Sequence, residues 1–550
     1  MIRTSVLVVG GGPVGLSLSI ALSQQGVPSI VVNDRKTTTT HPKLDVVNCR
    51  SMEIFRQLGL SERIRDAGNP RSANQYSAFA ASAAGPMYAV MSDRHLIYRP
   101  VADAEKRIRD AVDGALPLES MQRIAQMNLE PVLLDAARSA PSIDTRFGWR
   151  LYGFEQDAEG VTAMIQEVES GRSLHVRADY LVGCDGPNSL VRNFLNIDYD
   201  GTRDLVGELF IIHFKSDAVA ALYPDRQPYW HTWLCRPGFV GLLVSPDASR
   251  NDFILHRPFA PRPGESLESV IDAALGVKVA YEIVQSGPWR PQFLVAKAFG
   301  RGRVFLAGDS THQYMPTGGL GMNTGLAEAH NLAWKLAATL KRWGGETLLE
   351  SYEAERLPVA RRNRDHVKKC AAASFESTFR GSEVRLDETP EGKASRESLA
   401  RDFEAKTSRL YESLGVEIGY RYVGSPIVVA DSAPEPDYDE IRYVPTTWSG
   451  ARLPSAFRAD GTAVFDQLDP SGFTLLASAD RAGDCGAMTT AAADVGAPLS
   501  VLAIDEPHLI ALYQKPFVLV RPDHHVAWRG DALPTDCRPV VDVVRGASRP

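Results

Sequence analysis

The run Ser5-Val6-Leu7-Val8-Val9-Gly10-Gly11-Gly12-Pro13-Val14-Gly15 decides the fold. A short apolar, mostly β-branched segment enters a glycine turn, and a helix-like segment over residues 16–25 follows and stops at Gly26. A second apolar run, Ile30-Val31-Val32, closes on Asn33-Asp34-Arg35. Strand, glycine turn, helix and strand in that order make a βαβ unit. Gly10, Gly12 and Gly15 fit the spacing G-x-G-x-x-G: the first permits a tight turn, the second lets a pyrophosphate approach the backbone, and the third allows close helix–strand packing. The helix opening near Gly12 aims free N–H groups at an anion, with Pro13 and Val14 in its first turn. Asp34, with Arg35 beside it, closes the second strand, where a carboxylate can hold a ribose hydroxyl. The stretch predicts an α/β dinucleotide-binding fold.

Two later segments end strand-like runs in the same manner. Tyr180-Leu181-Val182 leads into Gly183-Cys184-Asp185-Gly186-Pro187-Asn188-Ser189-Leu190-Val191-Arg192. Val304-Phe305-Leu306-Ala307 leads into Gly308-Asp309, then through His312 and Pro316 to Gly318-Gly319-Leu320-Gly321-Met322-Asn323. Acidic residues at the carboxyl ends of strands are where an α/β sheet meets its ligand. A helix start after the last glycines offers N–H groups and a positive dipole end to negative charge. Between about residues 205 and 257 the pattern changes to short, alternating, aromatic-rich strands, which predict an antiparallel sheet in another layer. In one of them, Tyr229-Trp230-His231-Thr232-Trp233-Leu234-Cys235, alternation puts Tyr229, His231, Trp233 and Cys235 on one face. That face either walls a ligand pocket, with His231 able to bond a phenol oxygen, or packs as ordinary sheet. Helical stretches are expected from about 325 to 340 and from 346 to 377, and a charged, breaker-containing connector from about 380 to 410. Strand-like runs beyond residue 470 make a further C-terminal unit.

The ordered trio of glycine fingerprint, D-G segment and G-D segment resembles the class A FAD-dependent aromatic hydroxylases. Length and tail resemble the phenol, dichlorophenol and polyketide hydroxylases with a thioredoxin-like C-terminal domain. The resemblance implies a discontinuous FAD-binding domain (residues 1–75, 100–204 and 296–380), a substrate domain (76–99 and 205–295), a linker or helical connector (381–414) and a thioredoxin-like domain (415–550). It also implies that Gly10, Gly12, Pro13, Val14, Gly15, Asp34 and Arg35 hold the ADP half of FAD. Arg50 and Gln126 would lie beside the flavin pyrophosphate, and Asp309, after Gly308, on the ribityl chain. Asp185, Gly186 and Arg192 would serve FAD and the reduced nicotinamide nucleotide. Pro316, Gly319, Gly321, Met322 and Asn323 would face the flavin, with Pro316, Tyr229 and His231 nearest the chemistry. Where the family commonly has two prolines this chain has Met315-Pro316, and Glu328 stands for the usual Asp.

The implied reaction uses NADPH or NADH, FAD and O2 to hydroxylate a phenolic or polyketide-like aromatic through a flavin hydroperoxide. Baeyer–Villiger or oxidatively decarboxylating chemistry, and a FAD-binding partner without turnover, are the alternatives. The 550 residues allow two to four domains at roughly 150 each. Lys+Arg 60 against Asp+Glu 67, a net charge of −7 without a basic stripe, argues against nucleic acid. No apolar run suits a bilayer span or a signal peptide, so a cytoplasmic protein is expected, and the resemblance allows a homodimer. The 6 cysteines form no C-x-x-C pair, and neither zinc spacing nor any other metal site is legible. The bland readings are a packed His312 without a carboxylate partner, packed Tyr180 and Trp289, His524-His525 as exposed strand-end polarity, and residues 356–369 as a solvated helix face.

Overall fold

The computed structural model describes residues 1–92, 98–203, 205, 207–247 and 251–549. Residues 93–97, 206 and 248–250 of the expected substrate segments lie outside that description. Strand β1 (Ile2–Val9), helix α1 (Pro13–Gln24) and strand β2 (Ser29–Asn33) form the expected βαβ unit. β1 pairs in parallel with β2 on one side and with Ser173–Gly183 on the other, and Val304–Leu306 continues the parallel set. Val6 to Val9 are buried on both faces, as a central parallel strand requires. This strand order brings residues 10, 184 and 308, far apart in sequence, to one sheet edge. Contact there is close enough to demand glycine: Gly10 has φ +113°, and a Cβ on it would lie 2.1 Å from the Cys184 carbonyl oxygen. Gly15 packs the helix onto the turn, with a Cβ there 2.0 Å from the Gly10 oxygen.

A second, seven-stranded sheet runs Glu282–Trp289, Leu209–Lys215, Asp252–Arg257, Phe239–Val244, His231–Arg236, Ser77–Ala80, Met87–Met91. It is antiparallel except where His231–Arg236 meets Ser77–Ala80. Alternation sorts its two faces. Ile212, Phe214, Leu234, Leu243 and Leu255 pack on the helix Leu267–Leu275, while the opposite face packs against Cys370, Leu399 and Phe403 and lines a cavity.

In the C-terminal unit, Phe473–Ser478 pairs in parallel with Leu499–Ile504 and antiparallel with Phe517–Val520, which pairs with Val526–Gly530. The unit is docked onto the core. Trp334 and Trp343 join its apolar cluster around Phe473, and Arg521 bonds Glu355 and Asp523, all fully buried. His524 and His525 belong to this junction and are 1% exposed, which corrects their reading as exposed polarity. His525 stacks on Tyr422 at 4.2 Å, and His524 sits against Phe465 at 4.4 Å. Residues 356–369 are likewise only partly a solvated face: Arg356 is buried over the Tyr420 ring at 5.1 Å.

Within the expected linker or helical connector, Pro390–Thr407 forms a helix. Thr389 caps it by accepting from the Gly392 N–H, and Pro390 occupies its first turn. The presumed breakers are therefore punctuation, and Gly381 closes the preceding helix Glu350–Gly381. Leu399 and Phe403 are buried, with Phe403 stacked 4.4 Å from Phe79 of the second sheet.

Candidate active site

A cavity of about 1640 Å³ runs from the edge of the first sheet to the open face of the second. Single small-molecule pockets hold roughly 300–1,000 Å³, so this one has room for two ligands side by side. One arm belongs to the glycine motifs, and Gly10, Gly12, Pro13, Val14, Asp34 and Arg35 line it. α1 starts at Gly12 and the helix Leu320–Leu340 at Gly319, neither with a side-chain cap. Their unpaired N–H groups open on the same space. A Cβ on Gly12 or on Gly321 would meet nothing within 4 Å, so both leave a cradle that a ligand can fill. Asn33, unremarked in the sequence, accepts from the Gly11 N–H at 3.1 Å and holds the turn open. An anion-accepting cradle with a carboxylate, Asp34, at the neighbouring strand end fits a dinucleotide such as FAD.

Asp185, Gly186, Gly308 and Asp309 reach the cavity from the adjacent strands. Asp185 accepts from Ser189 Oγ–H at 2.5 Å and from the Val191 N–H at 3.1 Å, so it shapes its own loop. Burial pushes the Asp309 carboxyl above the usual range, against the opposing pull of His312. Gln126, Pro316, Gly319, Gly321 and Met322 also line the space, and Gln126 donates to Glu130 at 2.6 Å.

Other expected residues are placed elsewhere. Arg50 is fully enclosed away from the cavity, bonded to Glu53 at 3.1 Å and to the Asp523 carbonyl at 2.8 Å. Arg192 stacks over Tyr199 at 4.1 Å and donates to the Pro187 carbonyl. Asn323 accepts from the Asn48 N–H and donates to the Val46 carbonyl, which ties the helix start to the neighbouring segment. Tyr229 faces the opposite side of the second sheet, packed with Tyr223 at 5.2 Å. The alternation fails there because the strand begins only at His231. Cys235 is buried against Gly381. His312 does have a carboxylate, Glu328 Oε1 at 3.3 Å, and Glu328 also accepts from the Gly308 N–H at 2.8 Å. Glu328 thus pins the Gly308 loop from beneath. Tyr180 packs with Phe305 as expected, whereas Trp289 lines the cavity.

The second arm is the open sheet face, where His231, Trp233, Leu242, Val244, Ile254 and His256 line the wall. His231 is held between two groups without a legible sequence signal. Tyr411 Oη lies 2.5 Å from its Nδ1, and Asp45 Oδ2 lies 3.6 Å from its Nε2. Trp230 Nε1–H donates to the same Asp45 oxygen at 2.6 Å. Burial alone would raise the Asp45 pKa, but His231, Trp230 and Arg123 hold it below the usual range. Burial lowers the His231 pKa against the pull of Asp45 and raises that of Tyr411. The result is a neutral imidazole between a carboxylate and a phenol, in an otherwise aromatic wall. It stands near the cradle, because Val46, next to Asp45, is the residue a Cβ on Gly319 would strike at 2.6 Å.

Fold and site together define an α/β dinucleotide-binding protein whose cradle opens into an aromatic slot. Residues 3–367 match the family described as FAD binding domain, and residues 446–547 match the aromatic-ring hydroxylase C-terminal family. A putative polyketide hydroxylase of Streptomyces halstedii is 34% identical over 96% of this chain and 93% of its own length. The 2,4-dichlorophenol 6-monooxygenase of Cupriavidus pinatubonensis is 29% identical over 97% and 94%. The solved structure of RebC with bound 7-carboxy-K252c superposes with a TM-score of 0.88 at 32% identity, covering 100% of both chains. The chain belongs to the class A FAD-dependent aromatic hydroxylases. Among the described residues no helix is long and apolar enough to cross a membrane, and no cluster of three or more potential metal ligands occurs.

Proposed function

We propose that the protein hydroxylates a phenolic or polycyclic aromatic ring, using reduced nicotinamide nucleotide and O2. The observation that carries this reading is the continuity of one cavity from an anion cradle to an aromatic slot with Asp45, His231 and Tyr411 at its side. When bound, FAD supplies the electron transfer and oxygen activation; binding, orientation and proton handling fall to the chain. The α1 N-terminus and Gly10 to Val14 would hold the FAD phosphates, Asp34 a ribose hydroxyl and Asp309 the ribityl chain. N–H groups at the start of the helix Leu320–Leu340 would favour negative charge on the flavin ring system.

In the tautomer whose Nδ1–H donates to Tyr411 Oη, His231 Nε2 carries a free lone pair and takes the phenolic proton, which makes the ring carbon beside the oxygen electron-rich. Asp45 steadies the charged imidazole, and Tyr411 fixes its orientation from Nδ1. Trp230, Trp233 and the aliphatic wall exclude water, which would divert the oxidant to hydrogen peroxide. A putative polyketide hydroxylase and a 2,4-dichlorophenol 6-monooxygenase among the relatives support a ring-hydroxylating reading. The C-terminal unit takes no redox part in this scheme, since its Cys485 and Cys537 are free and buried.

The test is turnover by purified holoprotein with NADPH or NADH and a panel of phenols, following flavin bleaching, oxygen uptake and product mass. A gain of one oxygen atom with the ring intact is expected. Failure of every ring substrate to promote flavin reduction overturns the reading; ring opening or a lactone redirects it to insertion chemistry.

A further inference from the structure

Three imidazoles of the second sheet line the cavity, His213, His231 and His256, and His256 has no part in the reaction described above. In one cross-strand row His231 pairs with Val244, and Val244 with Ile254. In the next row Trp233 pairs with Leu242, and Leu242 with His256. His231 and His256 are thus two strands and one row apart, with alternation turning both toward the cavity. At about 4.8 Å per strand and about 3.4 Å per residue their Cα atoms are roughly 12 Å apart. Between them lies an apolar ledge of Leu242, Val244 and Ile254.

The His256 side chain makes no hydrogen bond to the protein among the described residues. Its one aromatic neighbour is Trp289, edge-on at 6.3 Å. His213 differs in this respect, because its Nε2 lies 2.7 Å from Asp252 Oδ1, as does His231, which Tyr411 and Asp45 hold. A half-buried imidazole with both ring nitrogens uncommitted, at the end of an apolar ledge inside a ligand cavity, is a polar group awaiting a partner.

We propose that His256 is a second substrate anchor and that the substrate is a fused polycyclic phenol with an oxygen function on the ring far from the hydroxylated end. This inference rests on the hydroxylase reading. A single benzene ring held at His231 leaves the ledge and His256 uncovered, whereas a linear system of three rings reaches both. The partner is an uncharged oxygen, a hydroxyl or a carbonyl: burial lowers the His256 pKa to about 4, so at neutral pH the ring offers a hydrogen bond without a positive charge.

The test measures ligand dissociation constants on the FAD-loaded protein from changes in the flavin spectrum. The ligands are phenol, an anthracene monophenol, and the anthracene diol whose second hydroxyl is on the opposite terminal ring. One neutral hydrogen bond is worth about 1 kcal/mol, so the diol binds the wild type about five- to tenfold more tightly than the monophenol. In His256→Leu that preference disappears, and in His256→Gln, which keeps a hydrogen-bonding group, part of it returns. The proposal is overturned if phenol binds as tightly as the diol, if His256→Leu weakens monophenol and diol equally, or if neither anthracene binds. Efficient hydroxylation of phenol with no preference for the diol sinks the anchor and leaves the hydroxylase reading intact. Diol binding that depends on His256 without oxygen incorporation has the reverse meaning.

Discussion

Glu417 gives a pH-dependent prediction that can be worked through in numbers. It lies in the short helix Leu414–Ile418, buried at the cavity wall, where Oε2 accepts from the Cys49 N–H and Oε1 from Ser413 Oγ–H, both at 3.1 Å. Burial pushes its pKa up to about 7, the two hydrogen bonds opposing only in part and the charge of Glu53 adding to the rise. In the unfolded chain a glutamate titrates near 4.3. The folded state therefore holds this proton more tightly than the unfolded state. Its stability is greatest below about pH 4.3, falls as pH rises through the window to about 7, and carries the full penalty above it. At 1.36 kcal/mol per unit the penalty is roughly 3.5–4 kcal/mol, of which about 2–3 kcal/mol develops between pH 5 and pH 8. Glu417→Gln cannot ionise and keeps one acceptor oxygen, so the loss of the second acceptor is a constant offset. Urea unfolding of both proteins at several pH values isolates the term, because every other titrating group cancels in the difference. The variant gains about 2–3 kcal/mol on the wild type between pH 5 and pH 8. A difference that stays flat over that range refutes the reasoning.

Three further outcomes follow from the geometry. Tyr411→Phe removes the oxygen bonded to His231 Nδ1 and keeps the ring against Trp230; kcat falls roughly tenfold, for a lost hydrogen bond of about 1–2 kcal/mol, and less of the oxygen consumed appears in product, measured as product formed per oxygen taken up. Gly10→Ala forces a Cβ against the Cys184 carbonyl at a backbone angle that favours glycine, so the protein is recovered colourless or insoluble; full flavin absorbance per unit of protein absorbance would contradict this. Phe403→Ala empties a fully buried stack on Phe79 and costs about 3–5 kcal/mol in denaturant unfolding, whereas a true connector would lose about 0.5 kcal/mol or less.

The cradle was legible because local chemistry dictates it. Only glycine takes the Gly10 conformation, and only a strand feeding a helix uses Gly12 and Gly15 at that spacing. Asp185 and Asp309 were legible for the same reason, each ending a buried strand in the same sheet edge. Arg50 and Arg192 lie off the cavity lining, because a cation in a motif has several partners within reach. Glu53 with the C-terminal unit, and Tyr199, won those contests. His231 could be named but not placed, since period-two alternation marks two faces without saying which meets the ligand. Nothing marked Asp45 or Tyr411, one a lone acid before a two-residue strand and the other just beyond a helix that looked like a connector.

By itself the sequence determined everything that depends on neighbours along the chain: the βαβ unit, the glycine turn, the two acidic strand ends, and the sparse cysteines that leave the redox role to a cofactor. Tertiary structure decided what depends on segments meeting across hundreds of residues. It brought residues 45, 231 and 411 within hydrogen-bonding range or close to it, turned His524 and His525 inward, and set His256 across a ledge from His231. Backbone conformation and helix or strand pattern are set within a turn or two, whereas the partner of a buried side chain is chosen by strand order and register, which no local stretch encodes.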